Sequence, residues 1–269
     1  MTHDAAVMTH YSSVLITGAS SGIGAALATE LASPGVTLHL SGRDAGRLAA
    51  TAHTCRARGA TVQERVLDVT DAPAMAAWVC GCGRLELVVA NAGISAGTGD
   101  RHTPETATQV RAIFATNVDG VLNTVLPAIE VLRSQAPRAD GWRGRIAVIA
   151  SIAAFVPAPG APAYCASKAA VDAWTVGTAL GLRGEGIALT SVCPGYIRTA
   201  MTARNKFPMP GLMDADRAAR IILAAVAAGR VRVVFPWWMG LAARLGGLMP
   251  PRWLGMAMAG RSGKAAAGQ

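Results

Sequence analysis

The chain has 269 residues, 52% apolar and 15% charged, with a formal net charge of +9. That balance supplies a large core and excludes a disordered chain, and the length suits one α/β domain with neither linker nor internal repeat. The basic residues are scattered arginines, which excludes a basic nucleic-acid arm and fits an acidic ligand such as a phosphorylated cofactor.

The first dozen residues lack the apolar core of a signal peptide. No uninterrupted apolar run reaches the roughly 18–20 residues that a bilayer requires, so a soluble, cytoplasmic protein is expected. The five cysteines, at 55, 80, 82, 165 and 193, follow no disulfide framework and are expected to be reduced thiols. Cys80-Gly81-Cys82 has one residue between its thiols, unlike the usual zinc or redox pairs, so no metal site is expected.

Residues 1–11 are expected to be frayed. Val14 to Ile16 predicts a short buried strand, followed by Thr17-Gly18-Ala19-Ser20-Ser21-Gly22-Ile23-Gly24 and a helix from Ala25 to Ala32. A strand, a glycine turn and a helix make an anion site, because bare N–H groups face the ligand at the positive end of the helix dipole. Gly18 then permits the tight turn, Gly22 lets a pyrophosphate approach the backbone, and Gly24 lets helix pack against strand.

Val36 to Leu40 predicts a second strand, ended by Ser41-Gly42-Arg43. In a dinucleotide fold this point, about 20 residues after the turn, meets the adenosine ribose, and a carboxylate would hold its 2′-hydroxyl. Here Arg43 stands where it can pair with a 2′-phosphate, which favours NADP over NAD. The alternative is an exposed arginine beside the helix cap Asp44.

Helices are predicted from Asp44 to Arg58, from Asp71 onward and from Pro104 to Arg133, with strands over Thr61–Leu67, Leu85–Ala90 and Arg145–Ala150. Asp68-Val69 and Asn91-Ala92-Gly93 fall at strand ends, and 94–103 reads as a loop. Asn117, in mid-helix, is either a satisfied core amide or part of a polar site.

Ser151 follows the fifth strand, and the helix from Pro162 to Gly184 carries Tyr164 and Lys168 one turn apart on one face. A free phenol has a pKa of about 10, and a nearby ammonium can lower it by roughly 1–3 units. Tyr164 could then exchange a proton near neutrality at a ketone or alcohol whose oxygen Ser151 also binds. Ile187 to Val192 predicts a sixth strand, and residues 200–213, rich in Met and Pro, read as a mobile flap with an apolar inner face. A helix from Asp214 to Ala228 and a strand from Val231 to Phe235 complete an alternation expected to give a Rossmann-type doubly wound parallel sheet of about seven strands, over 12–235.

With these stretches in place, the sequence resembles the short-chain dehydrogenase/reductase family. The likeness rests on the Thr17–Gly24 turn, Asp68-Val69, Asn91-Ala92-Gly93, Asn117, Ser151, Tyr164-x-x-x-Lys168, and Pro194-Gly195 with Thr199. It implies hydride transfer with NAD(P), Tyr164 as general acid/base, Ser151 orienting the carbonyl, and Lys168 holding the nicotinamide ribose. Asn117 would position a proton-relaying water. It further implies cofactor contacts from Gly18, Ser20, Ser21, Gly22, Ile23, Gly24, Arg43, Asp68, Val69, Asn91, Ala92, Gly93, Pro194, Gly195, Ile197 and Thr199. Ser21 stands where many NADP-preferring members carry a basic residue. The family implies a homodimer or homotetramer acting on a small carbonyl or alcohol. A non-catalytic NADP-binding sensor would not need the Ser151, Tyr164, Lys168 and Asn117 set, and a sugar-nucleotide epimerase would bring a larger C-terminal domain.

The tail, residues 236–260, reads as an apolar extension, with 261–269 expected to be disordered. Trp237, Leu241, Leu245 and Leu248 form one helical stripe, Arg244 falls beside it, and the far side is Gly and Ala. A membrane-surface helix should show a basic polar face there, so packing against the domain, a partner subunit or the flap is the favoured reading over membrane contact.

Overall fold

The computed structural model describes residues 10–99, 104–203, 205 and 207–257. In chain order the elements are β1 (Ser13–Ile16), α1 (Gly22–Leu31), β2 (Thr37–Gly42), α2 (Ala45–Ala57), β3 (Thr61–Val66), α3 (Ala72–Gly81) and β4 (Leu87–Ala90). Next come α4 (Ala107–Phe114), a π-helical turn (Ala115–Asp119), α5 (Gly120–Ser134), β5 (Gly144–Ile149), α6 (Pro162–Leu182) and β6 (Ile187–Pro194). The two-residue strands β7 (Ile197–Arg198) and β8 (Met213–Asp214) pair apart from the main sheet, and α7 (Ala215–Ala227), β9 (Arg232–Phe235), α8 (Trp237–Gly247) and α9 (Pro251–Ala257) follow.

Seven strands form one parallel sheet in the order β3-β2-β1-β4-β5-β6-β9. Every residue of β5 and β6 is buried, as a parallel sheet covered on both faces requires. One face packs through Leu27, Leu48 and Ile222 of α1, α2 and α7. The other packs through Met75, Val125, Leu132 and Val171 of α3, α5 and α6. Each fully buried aliphatic side chain stabilises this sandwich by roughly 1.5–3 kcal/mol. Helix starts follow the sequence signals: Asp44 and Asp71 accept from the N–H groups of Arg47 and Ala74, at 2.9 and 3.0 Å.

The chain leaves β1 toward β2 and β3 on one side, then returns to place β4 on the other side of β1. Such a reversal opens a crevice at the C-terminal ends of the strands. The helical run Ala107–Ser134 is long and apolar enough by composition to span a bilayer, yet it is half buried against the domain, as a core helix is.

Two expectations need correction. Tyr11 is not frayed: its ring is buried beneath the Arg138 guanidinium, 5.4 Å from the centroid. Residues 1–9 and 258–269, where the expectation of disorder mostly falls, lie outside the described residues. The apolar stripe of α8 does not pack inward either. Trp237, Leu241, Leu245 and Leu248 are exposed, and the opposite glycine side faces the domain. A Cβ at Gly240 would strike Val234, and one at Gly247 would strike the Phe155 carbonyl. Small residues let the helix axis approach closely, which leaves the bulky side chains outside.

Candidate active site

A crevice of about 460 Å³ lies over the C-terminal ends of β1, β2, β4, β5 and β6. Its first wall is the glycine turn. Gly18 has φ +65°, a left-handed conformation that suits glycine, and a Cβ on Gly24 would stand 2.4 Å from the Gly18 carbonyl oxygen. The amide of Asn91 fixes this turn to the end of β4, its Nδ2 donating to the carbonyls of Thr17 and Gly18 at 3.0 and 3.1 Å. The Thr17 hydroxyl accepts from the N–H groups of Asn91 and Ala92. Gly18, Ser20, Ser21, Gly22 and Ile23 line the crevice, whereas Gly24 lies beneath it.

At the far end, beyond β2, the crevice is lined by Gly42, Arg43, Arg47, Asp68 and Val69. Arg43 is exposed and reaches the Asp68 carboxylate at 3.7 Å. Burial raises the Asp68 pKa, but hydrogen bonds from Thr70 and the charge of Arg43 outweigh it and hold the carboxyl below its usual range. A second cation, Arg47, was not singled out from the sequence, although it follows the cap residue Asp44 by one helical turn.

Over β5 and β6 the crevice is lined by Ala92, Gly93, Ser151, Tyr164, Lys168, Pro194, Gly195, Ile197 and Thr199. Ser151 caps a 3₁₀ turn, accepting from the Ala153 N–H at 3.1 Å, and is hydrogen-bonded to Tyr164. Lys168 is buried; its Nζ donates to the Ile149 carbonyl at 2.7 Å and stands 6.0 Å from the Tyr164 ring centroid. Burial pushes the Tyr164 phenol up to about 12, with the Ser151 hydrogen bond pulling the other way. That corrects the expectation of a phenol brought near neutrality: removing the phenolate from water is the larger effect here.

Asn117 does not line the crevice. It is fully buried in the π-helical turn, where its Oδ1 accepts from the Ile94 N–H at 2.8 Å. Its Nδ2 donates to the Ile94 carbonyl and to the Ser167 hydroxyl, each at 3.0 Å. Ser167 in turn donates to the Tyr164 carbonyl at 2.8 Å. The side chain is therefore a brace between the loop after β4 and the first turn of α6, directly behind Gly93 and Lys168.

Two further residues were not legible as site residues. Thr202 lines the crevice and donates to the Ile197 carbonyl at 2.6 Å, tying the base of the 200–213 segment to β7. Glu105 accepts from the Ala163 N–H at 2.8 Å and from Gln109 Nε2 at 3.1 Å. Its carboxylate caps α6, whose own N-cap position, Ala161, has no side chain able to do so. That missing cap was the one available signal. Among the described residues no cluster of His, Cys, Asp or Glu could hold a metal ion.

Comparison with known proteins accords with this geometry. The sequence model of the family described as short chain dehydrogenase matches residues 12–208. An uncharacterized oxidoreductase of Myxococcus xanthus is 36% identical over 247 residues, which cover 89% of this chain and 93% of that relative. EphD of Mycobacterium tuberculosis is 35% identical over 202 residues, only 33% of its own length. A short-chain dehydrogenase from Sphingobium yanoikuyae, solved in complex with NADPH, superposes with a TM-score of 0.75 at 29% identity, covering 88% of this chain and 94% of that one. A Burkholderia phymatum dehydrogenase/reductase in complex with NAD gives 0.77 at 26% identity, covering 87% and 92%.

The Glu105 cap yields a prediction. Glu105→Ala should lower unfolding stability by about 1 kcal/mol, the usual cost of a lost helix cap, measured by urea denaturation. An unchanged denaturation midpoint would mean that the Ala163 N–H is satisfied without it.

Proposed function

Since the chain belongs to the short-chain dehydrogenase/reductase family and is an NAD(P)-dependent oxidoreductase, we propose that it interconverts a secondary alcohol and a ketone, with NADP preferred. The observation that carries this reading is the Ser151–Tyr164 hydrogen bond on the wall of the crevice that also holds the glycine turn. The residues present fit a dinucleotide: N–H groups at the start of α1, an apolar wall at Val69, and cations at Arg43 and Arg47. When bound, the nicotinamide supplies or accepts the hydride.

The proton work falls to the chain's own groups. In reduction, the Ser151 hydroxyl donates a hydrogen bond to the substrate carbonyl, and the Tyr164 phenol delivers its proton to that oxygen as charge develops. Lys168, held at the Ile149 carbonyl, places a positive charge beside the phenolate that remains. In oxidation the same phenolate takes the proton back. Asn117 acts by positioning, because its amide holds the loop at Ile94 and the start of α6. Ile94 and Met201 on the crevice wall favour an apolar substrate. For the cofactor's 2′-phosphate, Arg43 and Arg47 are the cations at hand, released from Asp68 and Asp44 to meet it, and no carboxylate occupies position 42.

Tyr164→Phe should abolish turnover while leaving NADPH binding, followed by nucleotide fluorescence, nearly intact; undiminished turnover would refute the assignment. A raised phenol pKa keeps the acid protonated, so reduction by the unaltered protein should be constant across neutral pH and fall only on the alkaline side. Oxidation, which needs the phenolate, should rise with pH. Reduction that falls through pH 7 would contradict the raised value.

Arg43→Ala should weaken NADPH by about 1–2 kcal/mol, the lower part of the range for a charged hydrogen bond because the guanidinium is solvent-exposed. NADH should be little affected. Equal losses for the two cofactors would exclude a 2′-phosphate contact.

A further inference from the structure

We propose that α8 and α9 form a docking face for an anionic lipid surface. Trp237, Leu241, Leu245, Leu248, Trp253 and Met256 are all exposed on this short helical pair, Leu248 to 82% and Trp237 to 73%. Isolated apolar residues are normal on a protein surface, but this many large ones within 20 consecutive positions make a patch that water disfavours.

What covers the patch is indicated by charge. No Asp or Glu follows Asp216, whereas eight of the 25 Lys and Arg residues do, so all but one unit of the net charge of +9 lies beyond that position. Arg220 and Arg232 are paired with Glu30 and Asp172. Arg244 and Arg252 belong to the docking helices, and Arg261 and Lys264 follow in the sequence. The Arg244 guanidinium lies over the Phe155 ring at 4.3 Å, which fixes it at the edge of the apolar face.

A second copy of the chain is the other possible occupant. A two-fold interface between copies of this segment, however, would bring its arginines together with no carboxylate of the segment to pair with them. An anionic headgroup layer would pair Arg244 and Arg252 at the edge of the face, with Trp and Leu at the acyl boundary beneath. The face is also well placed for such a role. Met239 packs on Gly195, at the crevice wall, and Trp238 on Gly211 of the 200–213 segment. Docking would therefore bring the crevice beside the lipid, a suitable source for an apolar substrate. That last consequence rests on the proposed function; the docking itself does not.

The test is sedimentation of the full chain with vesicles of phosphatidylcholine alone or mixed with phosphatidylglycerol. Binding should require phosphatidylglycerol, weaken with added salt and alter tryptophan fluorescence. The double substitution Leu241→Ser and Leu245→Ser keeps every charge and touches exposed positions only. It should weaken binding by at least about tenfold while leaving the solution mass and the turnover of a water-soluble carbonyl unchanged. Three results would each overturn the proposal: no sedimentation of the unaltered protein, equal binding by the double variant (adsorption by charge alone), or a change of solution mass in that variant (an interface between copies). Loss of turnover with vesicle binding retained would count against the enzymatic reading and not against the docking face.

Discussion

The bond from the Lys168 ammonium to the Ile149 carbonyl fastens the second turn of α6 to the end of β5. Its reach decides where the Tyr164 phenol stands, because the two side chains leave the helix one turn apart. Ser151 is two residues past that carbonyl, at the start of the 3₁₀ turn, so the same bond brings the serine and the phenol to hydrogen-bonding distance. A buried ammonium is costly unless well solvated by polar groups, and here its surroundings also hold it at the crevice wall. Glu105 at the Ala163 N–H and Asn117 at Ser167 hold the first two turns of the same helix from two other directions.

The opposite wall depends on a comparable economy of small groups. The crevice exists because parallel strands reverse their order at β1 and β4, and it stays open because the turn after β1 is pinned by Asn91 instead of being free to collapse over the sheet. Gly24 permits that pinning by letting α1 start almost in contact with the Gly18 carbonyl. At the second strand's end, Arg43 and Arg47 line the far end of the crevice, each ion-paired, with Asp68 and Asp44 respectively. The two walls are therefore built by the same means, backbone groups held open by side chains from a neighbouring strand or helix.

Much of this was legible before any coordinates, since short apolar runs alternating with helical patterns and glycine turns specify a parallel sheet locally. The glycine turn, Ser151, Tyr164 and Lys168 could be read because each sits at a strand end or helix start that the pattern itself locates. What could not be read were effects of distance across the chain. Burial dominates the Tyr164 pKa, and burial depends on every segment around the crevice. Asn117 could be read as a satisfied core amide or as part of a polar site but not as the Ile94 brace, because that pairing crosses from a helix to a loop. Strand ends were misjudged by a residue or two: β2 continues through Ser41 and Gly42, and β6 through Pro194, because ladder partners at Arg65, Val66 and Phe235 extend them. For the tail, the alternative of packing the stripe against the domain fails for a related reason. Helical periodicity distinguishes a bulky side from a small one, and bulky sides usually face inward, whereas here Val234 and the Phe155 carbonyl accept only glycine.

The central claim is that the Ser151–Tyr164–Lys168 corner presents a carbonyl to a nicotinamide in one fixed orientation. Its most direct measurement supplies NADPH deuterated at one face of the nicotinamide C4 or, separately, at the other, together with a prochiral ketone, and analyses the alcohol by mass spectrometry and chiral chromatography. The account predicts deuterium at the carbinol carbon from one labelled face only, in a single enantiomer. Alcohol without deuterium from either labelled cofactor, or racemic alcohol labelled equally from both faces, would contradict it.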